Sequence, residues 1–154
     1  MARSTRSTYV AHGFTVSLIR DANSEPFTER PRLADPESAW TFARTLLPSD
    51  DQRERFVAIF LTARQNVIGY STISIGCLTA SLVHPRELFR PAILAGAASI
   101  VVAHNHPSGD AEPSAEYVAL TRRLVAAGSL MGIEVLDHIV VGDKCVSLKQ
   151  RGVL

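Results

Sequence analysis

His104 and His106, with Asn105 between them, follow directly on the apolar run Ser99 to Ala103. In extended backbone, residues i and i+2 project from the same face, so both imidazoles can meet one ion. Pro107 favours this, because the residue before a proline is pushed out of the helical region and His106 is held extended. Neutral imidazole is a common zinc ligand, at about 2.0–2.1 Å from the metal. The plainer reading is a strand end whose two rings bond to the following loop, and the pair alone leaves both open. Seven residues separate His106 from Ser114, and Tyr117 lies three further on, one helical turn along the same face. Ser114 follows Pro113 and precedes a helical pattern, which makes it an N-cap candidate with or without chemistry. Glu54 sits in the charged run from Asp50 to Arg55, the setting of a solvated side chain.

The order of these residues resembles the signature of the JAMM (MPN+) metalloproteases. The string His104-Asn105-His106-Pro107-Ser108-Gly109-Asp110 is similar in particular to the RadC-like branch of that group. Val83-His84-Pro85-Arg86-Glu87-Leu88-Phe89, Leu136-Asp137-His138-Ile139 and Val146-Ser147-Leu148 fit the same branch, so the resemblance spans roughly residues 36 to 154. It implies a JAMM/MPN fold of cytidine-deaminase-like architecture and a zinc-dependent metallohydrolase, of metallopeptidase or isopeptidase type, acting on a peptide or isopeptide. By the same resemblance His104 and His106 match the histidine ligands, Ser114 the serine that helps hold the oxyanion, and Glu54 the glutamate that acts on water. Where the family carries its metal-ligand aspartate, this sequence has Tyr117.

The chemistry of such a site is coherent. A zinc with three protein ligands and an open position lowers the pKa of its water to about 7. Glu54 would take that water's proton and pass it to the leaving amine, and Ser114 would donate to the carbonyl oxygen as it gains charge. Losing the aspartate removes a negative charge and a hard oxygen, with three outcomes. Tyr117 ligates through a phenolate, against a pKa near 10. A neighbouring carboxylate substitutes, Asp110 or Glu116, although Glu116 is rotated about 100° around the helix and Ser-Gly-Asp is ordinary turn chemistry at Asp110. Or two histidines hold metal weakly or not at all, leaving a catalytically impaired MPN-like module that binds a peptide without cutting it. His84 and the pair Asp137-His138 are candidates for orienting the metal-site histidines, although a structural role is the plainer reading of each, and at most one of Asp137 and His138 can face the site from a strand.

The elements that must position these groups read as a mixed α/β chain. A strand is expected over Phe14 to Arg20, then a polar loop. Asp35-Pro36 starts a helix with an apolar stripe through Trp40, Phe42, Ala43, Leu46 and Leu47. Strands follow at Phe56 to Thr62 and over Val67 to Leu82, the latter long and bent or divided at Gly69 and Gly76. A helix opens at His84-Pro85 and runs to about Ala95. The strand Ser99 to Ala103, a helix from Ser114 to Met131, and strands Glu134 to Val141 and Lys144 to Leu148 complete the order. The expected packing is a single mixed β-sheet flanked by helices, with residues 1–35 as an N-terminal strand and loop extension and 36–154 as the domain.

Composition sets the limits. At 154 residues, 46% hydrophobic and 20% charged, one globular domain is expected. A formal charge of +1 gives no support to polyanion binding, so an accessory role in DNA repair, a weaker alternative suggested by the RadC-like resemblance, has no basic stripe behind it. Cys77 and Cys145 are too few for a disulfide framework and read as thiols in a reducing compartment. Met1 to Thr8 lacks the apolar core of a signal peptide, and no apolar run approaches a membrane span. A cytoplasmic protein with no membrane association is the expectation.

Overall fold

A computed structural model describes residues 29–48, 51–76 and 83–154. The strand expected over Phe14 to Arg20, and Cys77 with the end of the expected long strand, lie outside the described residues. Among those described, the element order is α1 (Pro36–Leu46), β1 (Arg55–Leu61), β2 (Val67–Ile75), α2 (Pro85–Leu94), β3 (Ser99–Asn105), α3 (Ala115–Met131), β4 (Glu134–Val141) and β5 (Cys145–Ser147). The five strands form one sheet in the order β2-β1-β3-β4-β5. Only β3 and β4 run parallel; every other pair is antiparallel. The fold is a mixed α/β sheet with three helices, as the sequence pattern implies.

Each helix begins where its first residues can satisfy the free N–H groups. The Asp35 carboxylate accepts from Ser38 N at 2.8 Å, and Pro36, which has no N–H to lose, takes the first turn of α1. His84 caps α2, its Nδ1 accepting from Arg86 N at 3.2 Å. Ser114 caps α3, its Oγ accepting from Tyr117 N at 3.2 Å. At the far end α3 stops at Gly132, which holds a left-handed φ of 70° that a side chain would resist.

The sheet separates two apolar layers. Phe56, Ala58, Phe60, Ile100, Val102 and Val135 pack with Leu88 and Phe89 of α2 and with Tyr117, Leu120 and Leu124 of α3. Val57, Ile59, Leu61, Val101, Ala103, Ile139 and Val141 pack on the other face with Ala39, Phe42 and Ala43 of α1. β3 is central and buried along its whole length, so its alternation assigns even-numbered residues to the face covered by α2 and α3. His104 therefore points toward α3. The inward residues of α3 are Tyr117, Leu120, Thr121, Leu124 and Gly128, spaced at helical intervals. Gly128 leaves no room for a side chain: a Cβ there would lie 2.4 Å from the Ile133 carbonyl oxygen and 3.2 Å from the Phe89 ring.

A register shift decides what faces His104 from β4. Ile100 pairs with Val135 but Val101 pairs with Asp137, so Leu136 is an extra residue on β4. Because side chains alternate with period two, one inserted residue exchanges the faces of everything beyond it. His138 is thereby turned to the α3 side, and Asp137 to the α1 side.

Candidate metal centre

The centre lies at the C-terminal end of β3, beneath the first turn of α3. His104 and His138 are completely buried, and His106 is half-buried at the strand's exit. His104 Nε2 and His106 Nε2 are 2.9 Å apart. The other nitrogen of each ring is engaged: His104 Nδ1 contacts His138 Nε2 at 2.8 Å, and His106 Nδ1–H donates to the Asp110 carbonyl at 2.5 Å. Two imidazoles thus present their remaining nitrogens to one point, close enough for both to reach a single ion at about 2.0–2.1 Å. Burial holds His104 well below the usual histidine range, with His138 and His106 adding to the effect. Burial, and then His106, bring His138 down to about 3. Both rings are neutral at pH 7, the state that can ligate a metal.

Tyr117 stands beside this pair. Its ring is stacked on His104 with centroids 3.8 Å apart and planes 18° from parallel, and its centroid is 5.8 Å from that of His106. The phenol donates to Glu54 Oε2 at 3.3 Å. Burial, then the Glu54 carboxylate, push the phenol above its ordinary range, so deprotonation is harder here than in water. The structure thus brings Glu54, which lies 63 residues away in sequence, to the residue that stacks on His104.

Asn105 explains how Glu54 is placed. Its Oδ1 accepts from Arg55 N at 2.7 Å and its Nδ2 donates to the Arg53 carbonyl at 3.0 Å, bracketing Glu54 on both sides. The Glu54 carbonyl accepts from Gly76 N at 2.9 Å. Sequence reasoning passed over Asn105 because an asparagine between two histidines looks like a spacer; only the antiparallel pairing of Phe56 with His104 brings its amide beside residues 53 to 55.

The profile of the RadC-like JAB domain matches residues 33–153. The chain belongs to the RadC-like JAB family. It is similar to UPF0758 proteins of Shouchella clausii (46% identical over 142 residues, 89% of this chain and 60% of that protein) and Rubrobacter xylanophilus (49% over 125 residues, 81% and 55%). The UPF0758 protein of Methanosarcina mazei is 40% identical over 131 residues, 83% of this chain and 57% of that protein. The chain thus spans a little over half the length of these curated relatives.

Within this RadC-like JAB domain the remaining candidates separate clearly. Ser114 is exposed and uses an Oγ lone pair as the α3 cap, which leaves its hydroxyl proton free to donate. Asp110 is exposed and turns its Oδ1 back to accept from Glu112 N at 3.0 Å, the turn role foreseen for it. Glu116 is exposed on the outer side of α3. Among the described residues no group of three or more His, Cys, Asp or Glu side chains is placed to hold a metal ion. His84 is no orienting partner: it is an exposed helix cap. Asp137 is buried but faces away, accepting from His138 N at 2.7 Å, Ser147 Oγ at 2.6 Å and Lys149 N at 3.1 Å. Among the described residues no helix is long and apolar enough to cross a membrane.

Proposed function

We propose that this RadC-like JAB domain is a peptide-binding module with a reduced metal centre, in which His104 and His106 hold a zinc-class divalent ion but the family's hydrolytic step is impaired. One observation carries the reading. Tyr117, where the family resemblance calls for the third ligand, has its ring on His104 and its phenol proton donated to Glu54. The donor set fits the metal only in part. Two imidazoles are directed correctly, but no carboxylate joins them among the described residues, and the phenol is a poor substitute while its proton is retained.

Bound there, the ion would polarise a carbonyl or a water. The chain's own residues do the rest. Asn105 fixes the backbone around Glu54, and Tyr117 holds one of its oxygens by donating to it. The group that the family resemblance assigns to proton transfer thus has one oxygen engaged by the same residue that stands where that resemblance calls for the third ligand. The Ser114 hydroxyl, exposed at the N-terminus of α3 among free N–H groups, remains suited to a carbonyl or carboxylate of an incoming chain.

A second reading, the zinc-dependent metallohydrolase of the JAMM type, is favoured by the facing Nε2 atoms and by the presence of Glu54 at the site. Hydrolysis of peptide and isopeptide substrates by the tag-free chain with added zinc separates the two. The binding-module reading expects no turnover above that of Glu54→Gln. Turnover by the parent that Glu54→Gln abolishes selects the hydrolase instead.

A further inference from the structure

The protons of the buried chain behind His104 can be assigned from its two ends. The Tyr117 carbonyl only accepts, so the Thr121 hydroxyl, 2.7 Å away, gives it its one proton. Thr121 Oγ1 therefore meets His138 Nδ1, at 2.5 Å, as an acceptor, and His138 carries its proton on Nδ1. His138 Nε2 is then a lone pair, and His104 Nδ1, 2.8 Å from it, is the donor. The proton on His104 is thus on Nδ1 and its Nε2 is a lone pair. At the other end the Asp110 carbonyl fixes the His106 proton on Nδ1. In the neutral pair two lone pairs face each other across 2.9 Å, an arrangement that only an electrophile between them satisfies.

We infer that Thr121 is a positioning residue for the metal site, acting through His138 to hold His104 in the Nδ1–H tautomer so that its Nε2 lone pair is reserved for an ion. The consequence of losing the hydroxyl is specific. Without an acceptor at Nδ1, His138 can carry its proton on Nε2 and donate it to His104 Nδ1. His104 then carries its own proton on Nε2, directed at the His106 lone pair. The two metal-facing nitrogens would satisfy each other with an ordinary hydrogen bond and leave nothing for an ion. Thr121 is fully buried on the inner face of α3, four residues from the carbonyl it binds, so its place in the chain is set by the helix itself.

The inference rests on the proposed metal role of His104 and His106, and its test has a readout independent of metal. In the full chain, labelled with ¹⁵N-histidine and freed of metal by a chelator, long-range proton–nitrogen NMR reports which ring nitrogen bears the proton. The expected pattern is Nδ1–H on both His104 and His138. In Thr121→Val both move to Nε2–H, and zinc affinity falls about ten- to a hundredfold, the range seen when the outer partner of a ligating histidine is removed. Thr121→Ser, which keeps the hydroxyl, restores both. An Nε2–H tautomer on His104 in the parent, or an unchanged pattern in Thr121→Val, overturns the inference. Should the valine variant fail to fold, the parent's tautomers still decide it. Absence of zinc binding by the parent, with the tautomers as expected, would sink the metal role and leave the relay standing.

Discussion

Replacing Tyr117 with aspartate restores the type of ligand that the RadC-like pattern calls for, and its consequences can be worked through. Tyr117 is 5% exposed and its ring packs on His104. Cutting back a buried aromatic costs about 3–5 kcal/mol, and the new carboxylate would be buried near the Glu54 carboxylate without a metal charge to offset it. The metal-free Tyr117→Asp chain is therefore much less stable than the parent, against a usual total of about 5–15 kcal/mol. Zinc narrows the gap. Four-ligand structural zinc sites bind with about 10–16 kcal/mol, or about 3 kcal/mol per ligand, so a third ligand is worth about a hundredfold in affinity. At a zinc concentration about 100 times the variant's Kd, binding adds about 2.7 kcal/mol. At about 2–4 °C per kcal/mol for a chain of this size, that is a rise in Tm of about 5–10 °C. The parent, with a Kd about a hundredfold weaker, would gain only about 0.4 kcal/mol at the same concentration. Thermal unfolding of both proteins, with chelator and with zinc, reads all four states. Equal zinc-induced shifts in the parent and the variant would refute the reasoning, since the parent's site would then already have its third ligand.

Two other predictions follow from the core. Because burial lowers the pKa of both His104 and His138 in the folded state, the unfolded chain binds more protons as pH falls below about 6.5. Stability of the metal-free protein must therefore drop on acidification toward about pH 3, by up to about 1.4 kcal/mol per pH unit for each ring. Urea midpoints measured from pH 7 to 4 should show this slope, reduced in His138→Gln, and a flat profile would contradict it. Gly128→Ala places a Cβ 2.4 Å from the Ile133 carbonyl oxygen. It should cost about 1–3 kcal/mol by overpacking, and a melting curve unchanged from the parent would show that the turn after α3 can shift at no cost.

Much of the architecture is legible because its signals are local. Asp35-Pro36 and Pro113-Ser114 mark helix starts through caps that act within three residues, and alternation in the run before His106 gives the two imidazoles a shared face. What is not legible depends on pairing across the sheet. Whether Asp137 or His138 faces the site is decided by the extra residue Leu136, which no local pattern announces. Tyr117 meets Glu54 only because β1 lies beside β3, and Asn105 gains its positioning role from the same neighbour relation. His84 had two readings, an orienting partner or a structural role at the helix start before Pro85, and the structure makes it a cap. Capping was the stronger physical signal.

Zinc titration of the tag-free full chain, followed calorimetrically, tests the central claim most directly. One zinc bound per chain, with binding lost in both His104→Ala and His106→Ala, is the result expected of a two-histidine centre. No binding by the parent, or binding that survives either substitution, would contradict it.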